Sequence, residues 1–332
     1  MTDVRAAQAA PTPTGHRPIV ARTRAELADA LAPLTGTRAL VMTMGALHAG
    51  HLSLVRRARE LADHVVVSIF VNPTQFAPGE DFDAYPRTLD ADLEALSSVG
   101  ADVVFAPADA EMYPAPASFT LDPGPIARVL EGATRPTHLA GVALIVTKVL
   151  HLVRPDVALF GQKDAQQLAM VRLLARDLDL PVRIEGVPIA RAEDGVALSS
   201  RNRYLSGPER VHARALSRAL REGTRLADEG GPASAVAAAA RSVLAAEPGV
   251  DIDYVALADA DTFAVRGVLH GGVDGGPADA TSHHTRNAQA FDDAAAAGRP
   301  AFLLLAARVG ATRLIDNAVL VPGPAAQEGD AR

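Results

Sequence analysis

The sequence predicts an α/β fold, with a parallel sheet in the first part of the chain and a smaller α+β C-terminal domain after it. First, β-branched apolar runs such as VVVSIFV at 65–71 alternate with segments of helical periodicity, which is typical of a parallel sheet covered on both faces. Second, the composition changes to Ala- and Arg-rich helices after about residue 189. A chain of 332 residues with 48% hydrophobic content is long enough for two domains.

The first domain is predicted at 18–189 and follows a tail. Residues 1 to about 17 are rich in Ala, Pro and Thr and lack periodicity, so we expect them to be disordered. Hydrophobic periodicity then predicts helices at 24–34, 52–62, 88–99, 141–152 and 165–178. Strands are predicted between them at 38–43, 65–71, 102–105, 157–160 and 182–187.

The second domain is predicted at 190–332. Its helices, at about 208–228 and 232–246, precede strands at 253–257, 302–309 and 314–321. Between the strands, residues 266–299 are rich in Gly, Asp and Ala, which favours a mobile insertion. A metal site at His283 and His284 within it is the less favoured alternative.

The bulk composition excludes several classes of protein. The net charge of −7 argues against a general nucleic-acid binder, and the absence of cysteine excludes disulfides, a thiol nucleophile and a zinc–thiolate site. No apolar run approaches the roughly 20 residues of a membrane span. The N-terminus lacks the basic start and apolar segment of a signal peptide. We therefore expect a cytoplasmic protein that binds neither nucleic acid nor a membrane.

The segment MGALHAGH at 44–51 follows the first of these strands and leads into a helix. A helix N-terminus attracts anions, because its first backbone N–H groups have no partner within the helix. His48 and His51 are therefore candidates for binding nucleotide phosphates. Two alternatives stay open on the local pattern. In the first, the two histidines are a pair of metal ligands, although the turn lacks a cysteine or carboxylate to complete such a site. In the second, they are ordinary polar residues at a helix start.

Other polar segments follow other strands. NPTQF at 72–76 follows the second strand, and GQKDAQQ at 161–167 follows the strand that ends at Phe160. Because ligands of parallel sheets bind at the carboxyl ends of the strands, we expect these segments to share a site with 44–51. The chain contains neither G-x-G-x-x-G nor G-x-x-x-x-G-K-[ST], so neither a dinucleotide site nor a P-loop is supported.

Lysine is rare, since Lys148 and Lys163 are the only lysines among the 32 basic residues. A lysine is a compact point charge whereas an arginine is a planar fork, so a lysine can mark a position that the fork does not fit. Lys148 lies in an apolar helix, and there chance explains the choice of lysine over arginine as well as such a constraint does. The ammonium group of Lys163 suits a phosphate, and the carboxylate of Asp164 suits ribose hydroxyls or caps the next helix.

Two glutamines and the segment LSSR at 198–201 complete the candidates. The neutral amides of Gln75 and Gln167 suit the hydroxyls or the carboxylate of a small polar substrate, although a single glutamine is usually a surface residue. Ser199, Ser200 and Arg201 offer hydrogen bonds and charge to phosphates. For this last segment alone, a helix cap with solvated arginines is the alternative.

Seven motifs, in this order, resemble those of the pantothenate synthetase (pantoate–β-alanine ligase) family, which belongs to the HIGH-type nucleotidyltransferase superfamily. The resemblance extends over about residues 20–322. The motifs are MGALHAGH (44–51), FVNPTQF (70–76), DAYPRT (83–88), RPTHLAGV (135–142), FGQKDAQQ (160–167), LSSRNRYL (198–205) and ARVGATRLIDN (307–317).

The resemblance implies a Rossmann-like, doubly wound sheet and a two-step reaction. In the first step, the carboxylate of pantoate attacks the α-phosphate of ATP to give pantoyl adenylate and pyrophosphate. In the second step, the amine of β-alanine attacks the acyl carbon and releases AMP and pantothenate. The resemblance also implies Mg²⁺ bound through the ATP phosphates, and a homodimer.

The resemblance assigns roles to individual residues. His48, His51, Lys163 and Arg201 are the expected catalytic residues, with His51 in the general-acid position. Gln75 and Gln167 are expected to bind pantoate, and Gln75 also lies near β-alanine. Arg135 and His138 border the site. The expected ATP-binding residues are Met44, Gly45, Ala46, Leu47, His48, Ala49, Gly50, His51, Gly161, Gln162, Lys163, Asp164, Ala190, Leu198, Ser199, Ser200 and Arg201.

The chain also departs from the family pattern. Met42 stands where the family usually has proline, which predicts a less rigid strand exit. Ala165 stands in place of an aromatic residue and Leu198 in place of methionine, and Ala91 interrupts an acidic cluster that includes Asp92. Two other functions stay open. The HxGH turn alone indicates only the superfamily, which leaves a different nucleotidylyltransferase that transfers AMP to a phosphorylated acceptor, and Met42 and Ala165 leave an inactive nucleotide-binding protein.

Overall fold

The computed structural model describes residues 17–77, 79–115, 118–270 and 299–321. The predicted tail, apart from its last residue, lies outside these ranges. Residues 271–298 of the predicted insertion, with His283 and His284, also lie outside them.

Six parallel strands form the first sheet. They are β1 (Ile19–Ala21), β2 (Arg38–Thr43), β3 (His64–Ile69), β4 (Val103–Phe105), β5 (Val157–Gly161) and β6 (Arg183–Val187). Their order in the sheet is β1-β4-β3-β2-β5-β6. The direction of winding changes between β2 and β5, and such a switch point opens a crevice at the carboxyl ends of the strands.

Helices cover both faces of this sheet, as expected for a doubly wound fold. Because successive side chains of a strand point to opposite faces, Val66 packs with helices on one side whereas Val65 and Val67 pack with helices on the other. The helices are α1 (Arg24–Leu31), α2 (Ala49–Leu61), α3 (Leu89–Ser97), α4 (Asp109–Met112), α5 (Leu130–Thr134), α6 (His138–Val153) and α7 (Ala165–Asp177).

A separate antiparallel sheet forms the C-terminal domain. Leu303 and Leu305 pack against the two helices of this domain, whereas Phe302 and Leu304 join the apolar cluster of the first sheet. The second sheet is therefore buried on both faces and lies against the first domain. Its strands are β7 (Val250–Asp259), β8 (Val265–His270), β9 (Ala301–Val309) and β10 (Thr312–Leu320), in the order β10-β9-β7-β8, and its helices are α8 (Gly207–Asp228) and α9 (Ala233–Ala245).

The predicted fold class is confirmed, and the predicted helices and strands are present in the predicted order. Two strands are missing from the sequence prediction. β1 is too short to show a hydrophobic pattern. The first residues of the predicted insertion, 266–270, belong to β8, which pairs with β7, and the insertion itself stays a prediction. The predicted domain boundary at 189/190 stays a prediction. Within the described ranges, no helix has the length and apolar character needed to cross a membrane.

Candidate functional site

A cleft of about 240 Å³ opens at the carboxyl ends of β2, β3 and β5. A second cavity of about 590 Å³ adjoins it and extends to β10 of the C-terminal sheet. Seven residues line both cavities: Arg135, His138, Lys163, Asp164, Gln167, Ser199 and Arg201. The candidate site is therefore one continuous cleft between the two sheets.

His48 and His51 form a reciprocal cap at the start of α2. Nδ1 of His48 accepts a hydrogen bond from the backbone N–H of Gly50 (3.2 Å), and Nδ1 of His51 accepts one from the backbone N–H of His48 (3.4 Å). The two rings stack with their centroids 4.1 Å apart. A side chain at Gly50 would disturb this arrangement, because its Cβ would lie 2.9 Å from Cε1 of His48.

Burial makes both rings neutral, and these bonds decide which nitrogen atom carries the hydrogen. Burial, followed by the charge of Lys163, lowers the pKa of His48. Burial, followed by the neighbouring His48, lowers the pKa of His51 to about 3. A neutral imidazole whose Nδ1 accepts a bond carries its hydrogen on Nε2, so each ring is a neutral Nε2–H donor at pH 7. Capping and phosphate binding are thus compatible, because the cap uses only Nδ1.

The carboxylate of Asp92 supports the turn that precedes α2. It is 3% exposed and accepts hydrogen bonds from the backbone N–H groups of Ala46 (3.0 Å) and Leu47 (2.8 Å) and from the hydroxyl of Thr88 (3.1 Å). Gly45 and Ala46 have φ values of 80° and 51°, a left-handed conformation that glycine adopts freely and alanine only at a cost. Asp92 therefore stabilises the strained part of the turn.

Within the ranges that the structure describes, no three His, Cys, Asp or Glu side chains are grouped to hold a metal ion. The Nδ1 atoms of His48 and His51 are both engaged by backbone N–H groups. Asp92, in the acidic cluster, supports the histidine turn through hydrogen bonds to its backbone.

Gln75 lies at the end of the 3₁₀ turn Pro73–Gln75, which follows β3. Its Oε1 accepts a hydrogen bond from Nδ2 of Asn72 (3.2 Å), and its Nε2 lies 3.0 Å from Sδ of Met44. Asn72 is fixed in turn, since its Nδ2 also donates to the carbonyl of Gly141 (3.2 Å) and its Oδ1 accepts from the hydroxyl of Tyr113 (2.8 Å). The Gln75 amide is therefore held in one orientation at the cleft.

Arg135 and His138 support the same turn from the other side. Both donate to the backbone carbonyl of Gln75, at 3.3 and 3.0 Å. The guanidinium of Arg135 also forms a two-point pair with Glu80 (2.7 and 2.5 Å), which lowers the pKa of that carboxyl. Burial lowers the pKa of His138. Their bonds make these residues supports of Gln75 as well as borders of the cleft.

Lys163, Asp164 and Gln167 enter the cleft from the segment after β5. The backbone that carries Lys163 is bonded to the C-terminal sheet. Nδ2 of Asn317 donates to the carbonyl groups of Gln162 (2.9 Å) and Lys163 (2.8 Å). The lysine thus lies where the two sheets meet.

The segment at 198–201 forms a further wall. The backbone N–H of Leu198 donates to the carbonyl of Ala190 (2.9 Å), and Oγ of Ser199 accepts from the backbone N–H of Arg201 (3.3 Å). The guanidinium of Arg201 lies 3.6 Å from a carboxylate oxygen of Asp81. That distance is long for a hydrogen bond, so the guanidinium can bind another anion.

The cleft brings together most of the residues predicted for the site. Its wall contains Met44, His48, Gly50, His51, Gln75, Gly161, Lys163, Asp164, Gln167, Ala190, Leu198, Ser199, Ser200 and Arg201. The remaining predicted residues do not line it, and they shape its backbone instead. They are Gly45, Ala46 and Leu47 in the turn, Ala49 at the start of α2, and Gln162 beside Asn317.

The sequence analysis missed four residues that shape the site. Asn72 and Tyr85 lie in motifs noted above, and both line the cleft in buried positions. Asp92 and Asn317 act through backbone groups. Three of them could have been found because they belong to motifs that the sequence shows: Asn72, Tyr85 and Asn317. Asp92 could have been found because it is a carboxylate on an otherwise apolar face of a helix.

The structure shows where the residues that depart from the family pattern lie. Met42 lines the cleft and pairs with Ser68 of β3, and the turn after it is held by Asp92. Ala165 is 2% exposed within the apolar cluster beneath the first sheet. Leu198 remains on the cleft wall. The effect of these substitutions on activity stays a prediction.

Residues 19–319 match the model of the pantoate-beta-alanine ligase family. The chain belongs to this family. Its relatives include the pantothenate synthetase of Acidothermus cellulolyticus, which is 50% identical over 302 residues that cover 91% of each chain. The pantothenate synthetase of Salinispora arenicola is 50% identical over 297 residues, which cover 89% of this chain and 95% of the relative.

Solved structures of pantoate–β-alanine ligases have the same fold. The pantothenate synthetase of Thermus thermophilus is 40% identical and superposes with a TM-score of 0.76, covering 90% of this chain and 98% of that one. The pantoate-beta-alanine ligase of Francisella tularensis, solved in complex with beta-gamma ATP and beta-alanine, is 29% identical with a TM-score of 0.68. It covers 93% of this chain and 100% of that one.

Proposed function

We propose that this chain condenses pantoate with β-alanine to pantothenate, using ATP and releasing AMP and pyrophosphate. One observation carries the assignment of the cleft. Two neutral imidazole donors and a lysine, suited to phosphates, line the same cavity as two amides suited to a small hydroxy acid. An acceptor that carried a phosphate would call for more cationic groups around Gln75 and Gln167.

In the first step, a carboxylate oxygen of pantoate attacks the α-phosphorus of ATP. The bond from that phosphorus to the oxygen that bridges to the β-phosphate breaks, and pyrophosphate leaves. Lys163, Arg201 and the Nε2–H groups of His48 and His51 stabilise the charge that develops on the phosphates. We assign His51 the role of a positioned hydrogen-bond donor, because its low pKa makes it neutral at pH 7.

In the second step, the amine of β-alanine attacks the acyl carbon of pantoyl adenylate. The bond from this carbon to the phosphate oxygen breaks, AMP leaves, and the amine loses a proton. Both nucleophiles belong to substrates, so the chain needs no catalytic thiol or serine. We assign Gln75 and Gln167 to pantoate, and Gln75 also to β-alanine, where they orient the two reactants and help to exclude water.

The donor set of the cleft fits a magnesium ion carried by ATP. Mg²⁺ in such sites is bound by substrate phosphates and one or two carboxylates. The cleft offers the carboxylate of Asp164 beside Lys163, and the described residues contain no cluster that could hold a metal alone. Asp164 would hold the ion, and the ion would neutralise part of the triphosphate charge. We also propose a cytoplasmic homodimer, on the strength of the family resemblance.

A three-substrate assay with product identification tests the function. We expect ATP, pantoate and β-alanine together to give AMP, pyrophosphate and pantothenate in equal amounts. Without β-alanine, pyrophosphate should form only as bound adenylate accumulates, and without pantoate no turnover is expected. Formation of ADP contradicts the proposal. Tight ATP binding without pyrophosphate release favours an inactive binder, and AMP transfer to a phosphorylated acceptor favours another nucleotidylyltransferase.

A further inference from the structure

The motif ARVGATRLIDN at 307–317 has no part in the chemistry proposed above, yet its last residue contacts the site. Asn317 lies in β10, far along the chain from the cleft segments, and is 2% exposed. The Nδ2 group of its amide donates to the carbonyl groups of Gln162 (2.9 Å) and Lys163 (2.8 Å). One side chain therefore binds two successive carbonyl groups of the backbone that carries Lys163.

Asn317 is itself held in place by an ion pair. Its backbone N–H donates to Oδ1 of Asp316 (2.8 Å), and the buried carboxylate of Asp316 pairs with both terminal nitrogen atoms of Arg191 (2.6 and 2.9 Å). Arg191 directly follows Ala190, which lines the cleft. Asp316 and Asn317 thus connect the lysine backbone and the 190–198 segment to one point of β10.

An amide has the chemistry that this position requires, whereas a carboxylate does not. The NH₂ group of asparagine has two hydrogens, so it can donate to two carbonyl groups at once. Aspartate has the same shape, but in its ionised form it offers only acceptors and repels both carbonyl oxygens. The bonds to Gln162 and Lys163 therefore require a nitrogen atom at the Nδ2 position of residue 317, where aspartate has an oxygen atom.

We propose that Asn317 is a positioning residue for Lys163, through which the C-terminal sheet sets the place of the ammonium group at the reacting phosphates. The inference rests on the proposed function, in which Lys163 stabilises the charge on the leaving pyrophosphate. Because a misplacement of about 1 Å can cost about 100-fold in rate, loss of the two bonds has a large effect on the first step.

The substitution Asn317→Asp tests the proposal with little change in shape. We expect kcat for pyrophosphate release to fall about 10- to 100-fold, whereas the pantoate KM stays within about twofold, because Gln75 is held by other elements and Gln167 belongs to α7. Asn317→Ala removes both donors without adding charge and tests the same bonds if the aspartate variant does not fold. Unchanged kcat in the folded variant contradicts the proposal.

A double-mutant cycle separates positioning from general support. In a Lys163→Ala background the ammonium group is absent, so adding Asn317→Asp should change kcat by less than about threefold. If the two substitutions instead multiply their effects, Asn317 acts by a route other than Lys163 and the proposal is wrong.

Val309→Ala is the matched control for sheet stability. Val309 is fully buried in β9 on the face that packs against the helices of the C-terminal domain. We expect this variant to lower Tm while kcat stays within about twofold. A fall in kcat equal to that of Asn317→Asp contradicts the proposal.

The wild-type chain separates failure of the proposed function from failure of this inference. If the wild type releases no pyrophosphate, both are contradicted. If the wild type is active and the Asn317→Asp variant is equally active, the inference alone is contradicted.

Discussion

Two segments of the cleft are held in different ways. The histidine turn at 44–51 is held from within its own domain, by the carboxylate of Asp92 in α3. The lysine segment at 161–164 is held from the other sheet, by the amide of Asn317 in β10. In both cases a buried polar side chain binds two backbone groups, but the carboxylate binds two N–H groups and the amide binds two carbonyl groups.

The difference shows how the site depends on the fold. The histidine turn can reach its final shape once the first sheet and α3 have formed. Lys163 reaches its final position only when the C-terminal sheet packs against the first domain. We therefore expect phosphate binding by the turn to tolerate damage to the C-terminal sheet better than the chemistry at Lys163 does.

The largest effect is expected at the lysine itself. Lys163→Ala should lower the rate of pyrophosphate release about 1,000-fold, since it removes a charge that stabilises the leaving group. The chain offers a matched control in its other lysine. Lys148 lies in α6 over the ring of Tyr113, outside the cleft wall, and Lys148→Ala should change the rate by less than about twofold. Stopped-flow detection of pyrophosphate measures both, and similar rates for the two variants would remove Lys163 from the mechanism.

The next effect tests the support of the histidine turn. Asp92→Asn replaces one acceptor by an NH₂ group that faces a backbone N–H, so the turn should lose its shape and kcat should fall about 10- to 30-fold. Asp90 is exposed on the same helix, and Asp90→Asn is the control that should retain wild-type kinetics. Equal kcat values for Asp92→Asn and Asp90→Asn would show that the turn does not need the carboxylate of Asp92.

Gln75 belongs to neither of the two compared segments. Its amide is expected to bind pantoate, so Gln75→Ala should raise the pantoate KM about tenfold while the ATP KM changes little. Steady-state kinetics with each substrate varied in turn measures the two constants. Equal increases in both would count against the assignment of Gln75 to pantoate.

The smallest effect concerns the pH dependence of stability. Above its ordinary pKa of 6.5, His51 is neutral in the folded and unfolded chain alike. As the pH falls from about 6.5 toward 3, the unfolded chain binds a proton that the folded chain does not, so the folded state loses stability. Between about pH 7 and 5.5 this loss amounts to about 1 kcal/mol.

Urea unfolding of the wild type and of His51→Gln at both pH values measures this contribution. The loss of free energy of unfolding between the two pH values should be smaller in the variant by about 1 kcal/mol. Any effect of the missing cap cancels, because it is the same at both pH values. An identical pH dependence in the two proteins would show that the histidine is not neutral in the folded state.

Much of the fold could be predicted from the sequence because apolar periodicity repeats over many residues. The strand at 38–43 and the helix that starts near Ala165 were predicted almost to the residue, since the buried run and the polar cluster mark their ends. β1 could not be predicted, because three residues show no period. β8 could not be predicted either, because its exposed and half-buried residues lack the apolar alternation of a core strand.

The side chains of the cleft could be predicted in part. His48, Lys163 and Gln167 were identified because residue type and position after a strand both point to the cleft. The bonds that support the two compared segments were not, because Asp92 and Asn317 bind backbone groups there, which leave no mark on the sequence. Nothing in residues 161–167 indicates that Asn317 will bind them, and the Nε2–H form of the histidines follows only from the observed bonds to Nδ1.

Transfer of oxygen from pantoate to AMP tests the central claim most directly. If pantoate labelled with oxygen-18 in its carboxylate attacks the α-phosphorus, the C–O bond breaks in the second step and the label leaves on the phosphate of AMP. Mass spectrometry of the products should then find one labelled oxygen atom in AMP and none in pyrophosphate. Label in inorganic phosphate together with ADP, or AMP without label, would contradict an adenylate intermediate in this cleft.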